Sequence, residues 1–203
     1  MFMTKSLKRL VIDSATKFLY IALFDNENKV SEFYESGHND HSVKLMTEIE
    51  KMFVKESIKV KDLDEIIVGI GPGSYTGLRI GVVVAKMFAW NNNIPVKTVS
   101  SLALMASSND SVNLLLVEID ARRGNSFLGV YKNDGKGLKL VAEEQLTNLE
   151  EYKKNMTNKY EVVSGGKPNI IKILESNLLE DVTDVHALSP NYLRITEAER
   201  NLQ

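Results

Sequence analysis

The sequence contains no cysteine and only three histidines among its 203 residues. Disulfides, thiolate metal sites and cysteine nucleophiles are therefore excluded. Basic residues are not in excess either, because 25 lysines and arginines stand against 27 acidic residues and leave a net charge of -2. The composition as a whole therefore gives no sign of a basic face for nucleic acid.

Segments that would target the chain to a membrane are also missing from the sequence. The stretch Met1 to Arg9 contains lysines but leads into no apolar run of signal-peptide length. The most apolar helical stretch, Ile80 to Trp90, contains Lys86 and is too short to span a bilayer. We therefore expect a cytoplasmic protein. Its 43% apolar and 26% charged residues are typical of a folded globular chain.

Apolar runs and turn residues predict two similar series of elements. The first series comprises strands at Leu10–Ile12, Phe18–Phe24 and Val30–Tyr34, a helix at His41–Ser57, a strand at Ile66–Ile70 and a helix at Tyr75–Asn91. The second comprises a helix at Ser100–Ser107, strands at Val112–Ile119, Ser126–Tyr131 and Leu138–Ala142, a helix at Leu149–Met156, a strand at Tyr160–Val163 and a helix at Pro168–Glu175.

The two series begin with the same pattern. A strand that ends in Asp13, followed by a turn and a second strand, is repeated by a strand that ends in Asp120. A duplicated lobe of this kind is the architecture of the actin, hexokinase and Hsp70 ATPases, in which two such hairpins face each other across a nucleotide cleft. The alternative is two unrelated hairpins in an ordinary α/β sheet.

We therefore predict an α/β protein with the actin-like, ribonuclease H-like fold, built of two duplicated lobes of which the second is reduced. The predicted divisions are a first lobe at 1–99, a smaller second lobe at 100–187 and a C-terminal tail at 188–203.

A glycine-rich loop, Gly71-Pro72-Gly73-Ser74-Tyr75-Thr76-Gly77, connects the fourth strand to the second helix. Ser74 can cap that helix, and a helix N-terminus behind such a loop can hold an anion. The lysine of a P-loop is absent, however. We favour a tight strand-to-helix turn, and keep Gly71, Gly73 and Ser74 as candidates for a vestigial nucleotide cleft.

Asp13 and Asp120 complete that candidate cleft, because aspartates at two strand ends can hold a hydrated magnesium ion beside a nucleotide. The alternative is that both are turn residues. His38 and His41 have a spacing that can place two imidazoles near one metal, but no third ligand is evident. Surface histidines near a helix cap are the favoured interpretation, and we predict no metal site in this chain.

The second helix is apolar almost all round. Leu78, Val82, Ala85 and Ala89 form one face, and Ile80, Val83, Val84, Met87 and Trp90 form the opposite side. A helix of this kind is buried on two sides, one of which can be covered by its own sheet. The other side needs a second helix of the same chain or a partner.

Small residues also recur along this helix at every fourth position and can let two helices approach closely. We predict a docking surface made with the helix His41–Ser57, and full burial within the monomer is the alternative. The predicted contacts are Leu45, Ile49, Met52, Gly77, Gly81, Val84, Ala85 and Phe88.

The segment Gly69-Ile70-Gly71-Pro72-Gly73-Ser74-Tyr75-Thr76-Gly77-Leu78-Arg79-Ile80-Gly81 resembles the signature of the bacterial TsaB (YeaZ) family, G-x-G-P-G-S-F-T-G-x-R-I-G. Other landmarks occur in the family's order along essentially the whole chain. They are Ile12-Asp13-Ser14-Ala15-Thr16, His41-Ser42, Asp62-Leu63-Asp64, Ser100-Ser101-Leu102, Ile119-Asp120-Ala121-Arg122 and Tyr192-Leu193-Arg194.

The resemblance implies the actin-like fold and a place in the synthesis of threonylcarbamoyladenosine beside the tRNA anticodon. It implies a non-catalytic accessory subunit that pairs with the larger paralogue TsaD, or with a second copy of itself, and is joined by the small ATPase TsaE. ATP and metal are then expected on the partner subunits, no cofactor or catalytic residue in this one, and contact with tRNA only through the complex.

Two other functions remain open at this point. One is an independent ATPase or kinase-like enzyme of the same fold. The other is a metallopeptidase of the M22 type, as relatives have been called, but the histidine pair that binds metal in the larger paralogue is absent from this sequence.

Overall fold

A computed structural model describes residues 6–37, 40–134 and 137–193 of the chain. The first series of elements comprises β1 (Lys8–Asp13), β2 (Phe18–Asp25), β3 (Asn28–Ser36), α1 (His41–Lys55), a 3₁₀ helix (Val60–Asp62), β4 (Glu65–Gly69), α2 (Tyr75–Asn92), β5 (Val96–Val99) and α3 (Ser101–Ala106). The second comprises β6 (Leu114–Asp120), β7 (Asn125–Asn133), β8 (Leu138–Asn148), α4 (Leu149–Asn155), β9 (Tyr160–Val163), α5 (Ile170–Leu174) and β10 (Glu180–Asp181).

Two sheets with the same internal order organise these elements. The first has the order β10-β5-β4-β1-β2-β3, and the second has the order β8-β7-β6-β9. In each sheet an antiparallel three-stranded meander is extended by a strand parallel to its first strand, β4 beside β1 and β9 beside β6. The repeated topology confirms the predicted duplication with a smaller second half.

The two faces of the first sheet bury different layers. On one face, α1 and α2 pack against apolar residues of β1, β2 and β4. On the other face, Val11, Tyr20 and Ile67 belong to a cluster that continues through α3 to Leu115 and Tyr131 of the second sheet. The two halves therefore share a core, and the boundaries at 99/100 and 187/188 stay predictions.

Most predicted elements are confirmed with ends shifted by a few residues. The last strand of the second meander was predicted at Leu138–Ala142 but continues to Asn148. Two strands were not predicted, namely β5, which pairs with β4, and the short β10, which pairs with β5 at the edge of the first sheet. No helix within the described ranges is long and apolar enough to cross a bilayer.

Candidate functional site

The glycine-rich loop between β4 and α2 is held by hydrogen bonds to its own chain. The backbone N–H of Ser74 donates to the carbonyl of Ala15 at 2.7 Å, and that of Gly71 donates to Ser101 Oγ at 3.1 Å. Ser74 also caps α2, since its Oγ accepts from the N–H of Gly77 at 3.3 Å. Because these donors already have partners, the geometry supports a strand-to-helix turn over a phosphate loop.

Two glycines of the motif lie against the backbone of the β1–β2 turn. A Cβ atom on Gly73 would overlap the carbonyl oxygen of Ala15, and one on Gly77 would overlap that of Ser14. Backbone atoms cannot move aside as a flexible side chain can. The close approach of α2 to this turn therefore explains why glycine is needed at both positions.

Ser14 also connects the β1–β2 turn to the first turns of α2. Its hydroxyl donates to the carbonyl of Gly77 at 2.7 Å and accepts from the N–H of Gly81 at 3.1 Å. A Cβ on Gly81 would lie 2.6 Å from that hydroxyl oxygen. The stripe of small residues thus packs on its own chain, with Ala85 fully buried. The assignment of Gly77, Gly81 and Ala85 as contacts of a partner helix is corrected, because all three are buried within this chain.

The other predicted docking residues also lie in the core of this chain. Leu45, Ile49 and Met52 on α1 and Val84 and Phe88 on α2 are at most 7% exposed. The rings of Phe53 and Phe88 lie 6.5 Å apart where the helices meet. These side chains hold the two helices on the sheet, which corrects their assignment as partner contacts. That the helix pair docks a partner stays a prediction.

A different set of apolar side chains lies on the outer surface of the two helices, and we call it the apolar ridge. It comprises Val43 (72% exposed) and Met46 (39%) on α1, and Val83 (60%), Met87 (41%) and Trp90 (65%) on α2. The α2 members belong to the second apolar side that the helical wheel identified. The predicted sheet-facing side of α2 is therefore confirmed, whereas the opposite side is exposed within this chain at Val83, Met87 and Trp90 and buried at Val84.

A cleft of about 970 Å³ lies beside the N-termini of α1 and α2. Gly73, Ser74 and Asp120 line it, together with Lys17 from the β1–β2 turn and Arg122 from the β6–β7 turn. Asp120 is exposed, and its carboxylate accepts from the N–H of Arg122 at 2.8 Å. The structure therefore brings both hairpin turns to one cleft, as the duplication predicted.

Asp13 does not contribute to this cleft. Its carboxylate is 6% exposed and accepts hydrogen bonds from Ser101 Oγ and the N–H of Ala15, both at 3.0 Å. Burial raises the pKa of Asp13 to about 6, although both hydrogen bonds oppose the shift. Gly71 is also buried, beneath Leu78 and the carbonyl of Asn191. Both residues are structural here, which corrects their place in the candidate cleft.

The histidine pair lies partly outside the described residues, since His38 is not described. His41 is 8% exposed rather than on the surface, because it packs beside Gly37 at the start of α1. Within the described ranges, no three histidine, aspartate or glutamate side chains come close enough to hold a metal ion.

A partly buried carboxylate that connects the two halves was not predicted from the sequence. Glu144 on β8 accepts hydrogen bonds from Tyr131 on β7 and from Ser100, the residue that caps α3. Burial raises the pKa of Glu144, and the two hydroxyl donors partly offset this. The connection depends on residues 44 positions apart, so no local pattern predicts it.

Comparison with known proteins places the chain in a family. Residues 35–177 match the model of the family described as TsaD, tRNA N6-adenosine threonylcarbamoyltransferase. The tRNA threonylcarbamoyladenosine biosynthesis protein TsaB of Bacillus subtilis (strain 168) is 32% identical over 94% of this chain and 95% of its own length. The protein of the same description from Escherichia coli (strain K12) is 30% identical over 64% of this chain and 57% of its own length.

A solved structure supports the fold. YeaZ from Pseudomonas aeruginosa superposes with a TM-score of 0.71 over 83% of this chain and 89% of its own, at 21% sequence identity. A second structure, of a protein similar to peptidase YeaZ from the same organism, gives a TM-score of 0.77 over 93% of this chain and 100% of its own, at 20% identity. The solved structures and the duplicated sheets support the actin-like fold, and the matching family model and the Bacillus subtilis relative show that the chain belongs to the TsaB (YeaZ) family of the TsaD-like superfamily.

Proposed function

We propose that this chain acts in the biosynthesis of threonylcarbamoyladenosine in tRNA, as a non-catalytic accessory subunit that docks a TsaD-like paralogue through the apolar ridge. Membership of the TsaB family supports the process. The exposed ridge on α1 and α2 supports the docking role, and it is the observation on which the proposal depends.

The ridge fits a docking surface because its side chains are large, apolar and contiguous along one helix. Val83, Met87 and Trp90 follow one another at helical spacing, and each is at least 41% exposed. Contiguous exposed apolar surface is unusual on a monomer and marks interaction sites. A second copy of the chain can cover the same surface, so self-association and docking of the paralogue would compete.

The position of Asp13 supports a subunit without catalysis of its own. A magnesium ion bound beside a nucleotide needs an accessible carboxylate. The Asp13 carboxylate instead binds Ser101 and Ala15 beneath the loop. The proposal therefore assigns ATP and metal to partner subunits, namely the TsaD-like paralogue and a TsaE-like ATPase. It also assigns tRNA contact to the complex as a whole, in the cytoplasm.

The test compares two valine variants that differ in where the charge is introduced. Val83→Asp puts a carboxylate on the ridge, and Val112→Asp puts one at a similarly exposed position, 77% exposed and away from it. We expect Val83→Asp to weaken binding to the purified paralogue at least about tenfold, and Val112→Asp to leave it unchanged. In cells that lack the native chain, only Val112→Asp should restore the modified nucleoside in tRNA.

Two results would count against the proposal. One is wild-type affinity of a folded Val83→Asp variant for the paralogue. The other is normal content of the modified nucleoside in tRNA from cells that lack the chain.

The cleft of about 970 Å³ favours a second candidate, an ATPase or kinase-like enzyme of the same fold. Titration of the isolated chain with ATP and magnesium separates the two. Saturable binding that Asp120→Asn abolishes would support the second candidate, whereas an accessory subunit needs no nucleotide of its own.

A further inference from the structure

Arg79 on α2 is held in a fixed position by two tyrosines. Its Nε donates to the hydroxyl of Tyr192 at 3.2 Å, and its Nη2 donates to the hydroxyl of Tyr75. The guanidinium carbon lies 4.0 Å from the centre of the Tyr75 ring, and the two tyrosine rings stack 4.9 Å apart. The guanidinium is thus oriented before any partner binds, although it lies at the surface.

Among the residues that the structure describes, the charge of Arg79 is not balanced by a carboxylate. Helix α2 contains two charged residues, Arg79 and Lys86. Lys86 is used within the chain, because its Nζ donates to the carbonyls of His186 and Leu188 at 2.8 and 2.9 Å. Among the described residues, only tyrosine hydroxyls pair with Arg79. One oriented cation on this helix therefore has no ionic partner in the part of the chain that the structure describes.

Arg79 lies at one end of the apolar ridge. Tyr75, Arg79, Val83 and Met87 follow one another at intervals of four residues, so they share one exposed face of α2. A chain that covers Val83 and Met87 also reaches the guanidinium. Exposed aromatic and arginine side chains beside apolar ones are the usual composition of the residues that contribute most to binding.

We infer that Arg79 is the specificity-determining contact of the docking surface and that it receives a carboxylate of the partner chain. The inference rests on the proposed function, because it assumes that a paralogue covers the ridge. Nε and one Nη2 proton are occupied by the tyrosines, which leaves both protons of Nη1 and one of Nη2 for a two-pronged carboxylate contact.

The physical reason for specificity is desolvation. A partner that covers the ridge removes water from Arg79, and an unpaired desolvated charge is costly. A partner with a carboxylate opposite Arg79 avoids that cost, whereas an apolar helix without one does not. The two tyrosines reduce the entropy cost of ordering the Arg79 side chain on binding, because the guanidinium is oriented already.

The experiment measures binding of the purified paralogue to wild-type chain and to Arg79→Gln, Arg79→Lys, Arg123→Lys and Val83→Asp, each checked by circular dichroism. We expect Arg79→Gln to weaken binding about tenfold to a hundredfold. Arg79→Lys should recover only part of this loss, because an ammonium cannot make the two-pronged contact. Arg123→Lys, on the exposed β6–β7 turn, is the matched control and should bind as the wild type.

The partner's carboxylate is then located by replacing its aspartates and glutamates with the amides. One such substitution should weaken binding to the wild type but cause no further loss with Arg79→Gln. The inference is overturned if Arg79→Gln binds normally while Val83→Asp does not, or if no carboxylate of the paralogue couples to Arg79. If Val83→Asp also binds normally, the proposed function itself fails.

Discussion

The hydroxyl of Ser14, in the β1–β2 turn, accepts a hydrogen bond from the backbone N–H of Gly81, in the second turn of α2. In a regular α-helix this N–H would bond to the carbonyl of Gly77. The Ser14 hydroxyl bonds to both of these groups, as acceptor from the Gly81 N–H and as donor to the Gly77 carbonyl. The family signature at this end of α2 is therefore, in physical terms, a close contact between a helix and the turn of the neighbouring hairpin.

The substitution Gly77→Ala tests this contact, because the contact determines whether the free energy of unfolding rises or falls. In an exposed helix, replacing glycine by alanine stabilises by about 1 kcal/mol. At Gly77 the added Cβ would overlap the Ser14 carbonyl, so we expect a loss of about 1–3 kcal/mol in the free energy of unfolding instead. Urea denaturation measures the change, and Thr76→Ala, at the exposed neighbouring position, is the control. A stabilised Gly77→Ala variant would contradict the structure.

The contact also explains which part of the helix could be predicted from the sequence. The wheel of α2 correctly placed Leu78 and Val82 on the sheet and Val83 and Trp90 on the outer side, but it also placed the buried Val84 on the outer side. It could not show what Gly77 faces, because small residues at intervals of four are compatible with any close neighbour. That neighbour, Ser14, lies 63 residues away in the chain.

The candidate cleft was predictable to a similar extent. The repeated strand-and-aspartate pattern correctly placed the two hairpin turns in one cleft, because strand ends in similar sheets are equivalent positions. The orientation of each carboxylate was not predictable. Asp13 turns to Ser101, 88 residues away, whereas Asp120 is exposed.

The buried Asp13 predicts a pH-dependent stability. Because burial raises its pKa to about 6 in the folded chain, above the usual value of 3.8, folding favours the protonated form. The contribution of the Asp13 carboxyl to the free energy of unfolding is complete below about pH 4 and is lost as the pH rises through about 6. Asp13→Asn keeps an acceptor for Ser101 but cannot ionise. Between pH 4 and pH 7.5, we expect the free energy of unfolding of Asp13→Asn to rise relative to that of the wild type by about 1–3 kcal/mol.

Thermal unfolding of both chains across this range measures the difference. Glu27→Gln, on the exposed β2–β3 turn, is the control and should change the pH profile little. A constant difference between Asp13→Asn and the wild type would show that Asp13 has the same pKa in the folded and unfolded chains.

Ser100 is predicted to stabilise the contact between the two halves. Its hydroxyl accepts from the N–H groups of Leu102 and Ala103 and donates to Glu144. Ser100→Ala removes a helix cap and leaves the partly buried Glu144 carboxylate with one donor fewer. We expect a loss of about 1–3 kcal/mol in the free energy of unfolding. Ser100→Thr keeps a hydroxyl and should lose much less. Equal losses would mean that packing, not the hydroxyl, matters at this position.

The isolated chain is predicted not to hydrolyse ATP. The reason is that the Asp13 carboxylate is bound by Ser101 and Ala15 beneath the loop instead of facing the cleft. Phosphate release in the presence of ATP and magnesium should equal that of buffer. Turnover by the wild type that a folded Asp13→Ala variant loses would contradict this and return Asp13 to a catalytic position.

Trp90 provides a direct reporter for docking, because it is the single tryptophan of the chain and belongs to the apolar ridge. It is 65% exposed, with the His186 ring 5.1 Å away as an edge contact. A partner that covers the ridge transfers the indole from water to an apolar environment.

We therefore expect the fluorescence of Trp90 to shift to shorter wavelength as the chain self-associates with rising concentration. A paralogue whose own tryptophans have been replaced should cause the same shift. Val83→Asp, about two helical turns before Trp90 on the same face, should abolish the shift, while Val112→Asp should retain it. Association that leaves the Trp90 emission unchanged would place the docking surface elsewhere on the molecule.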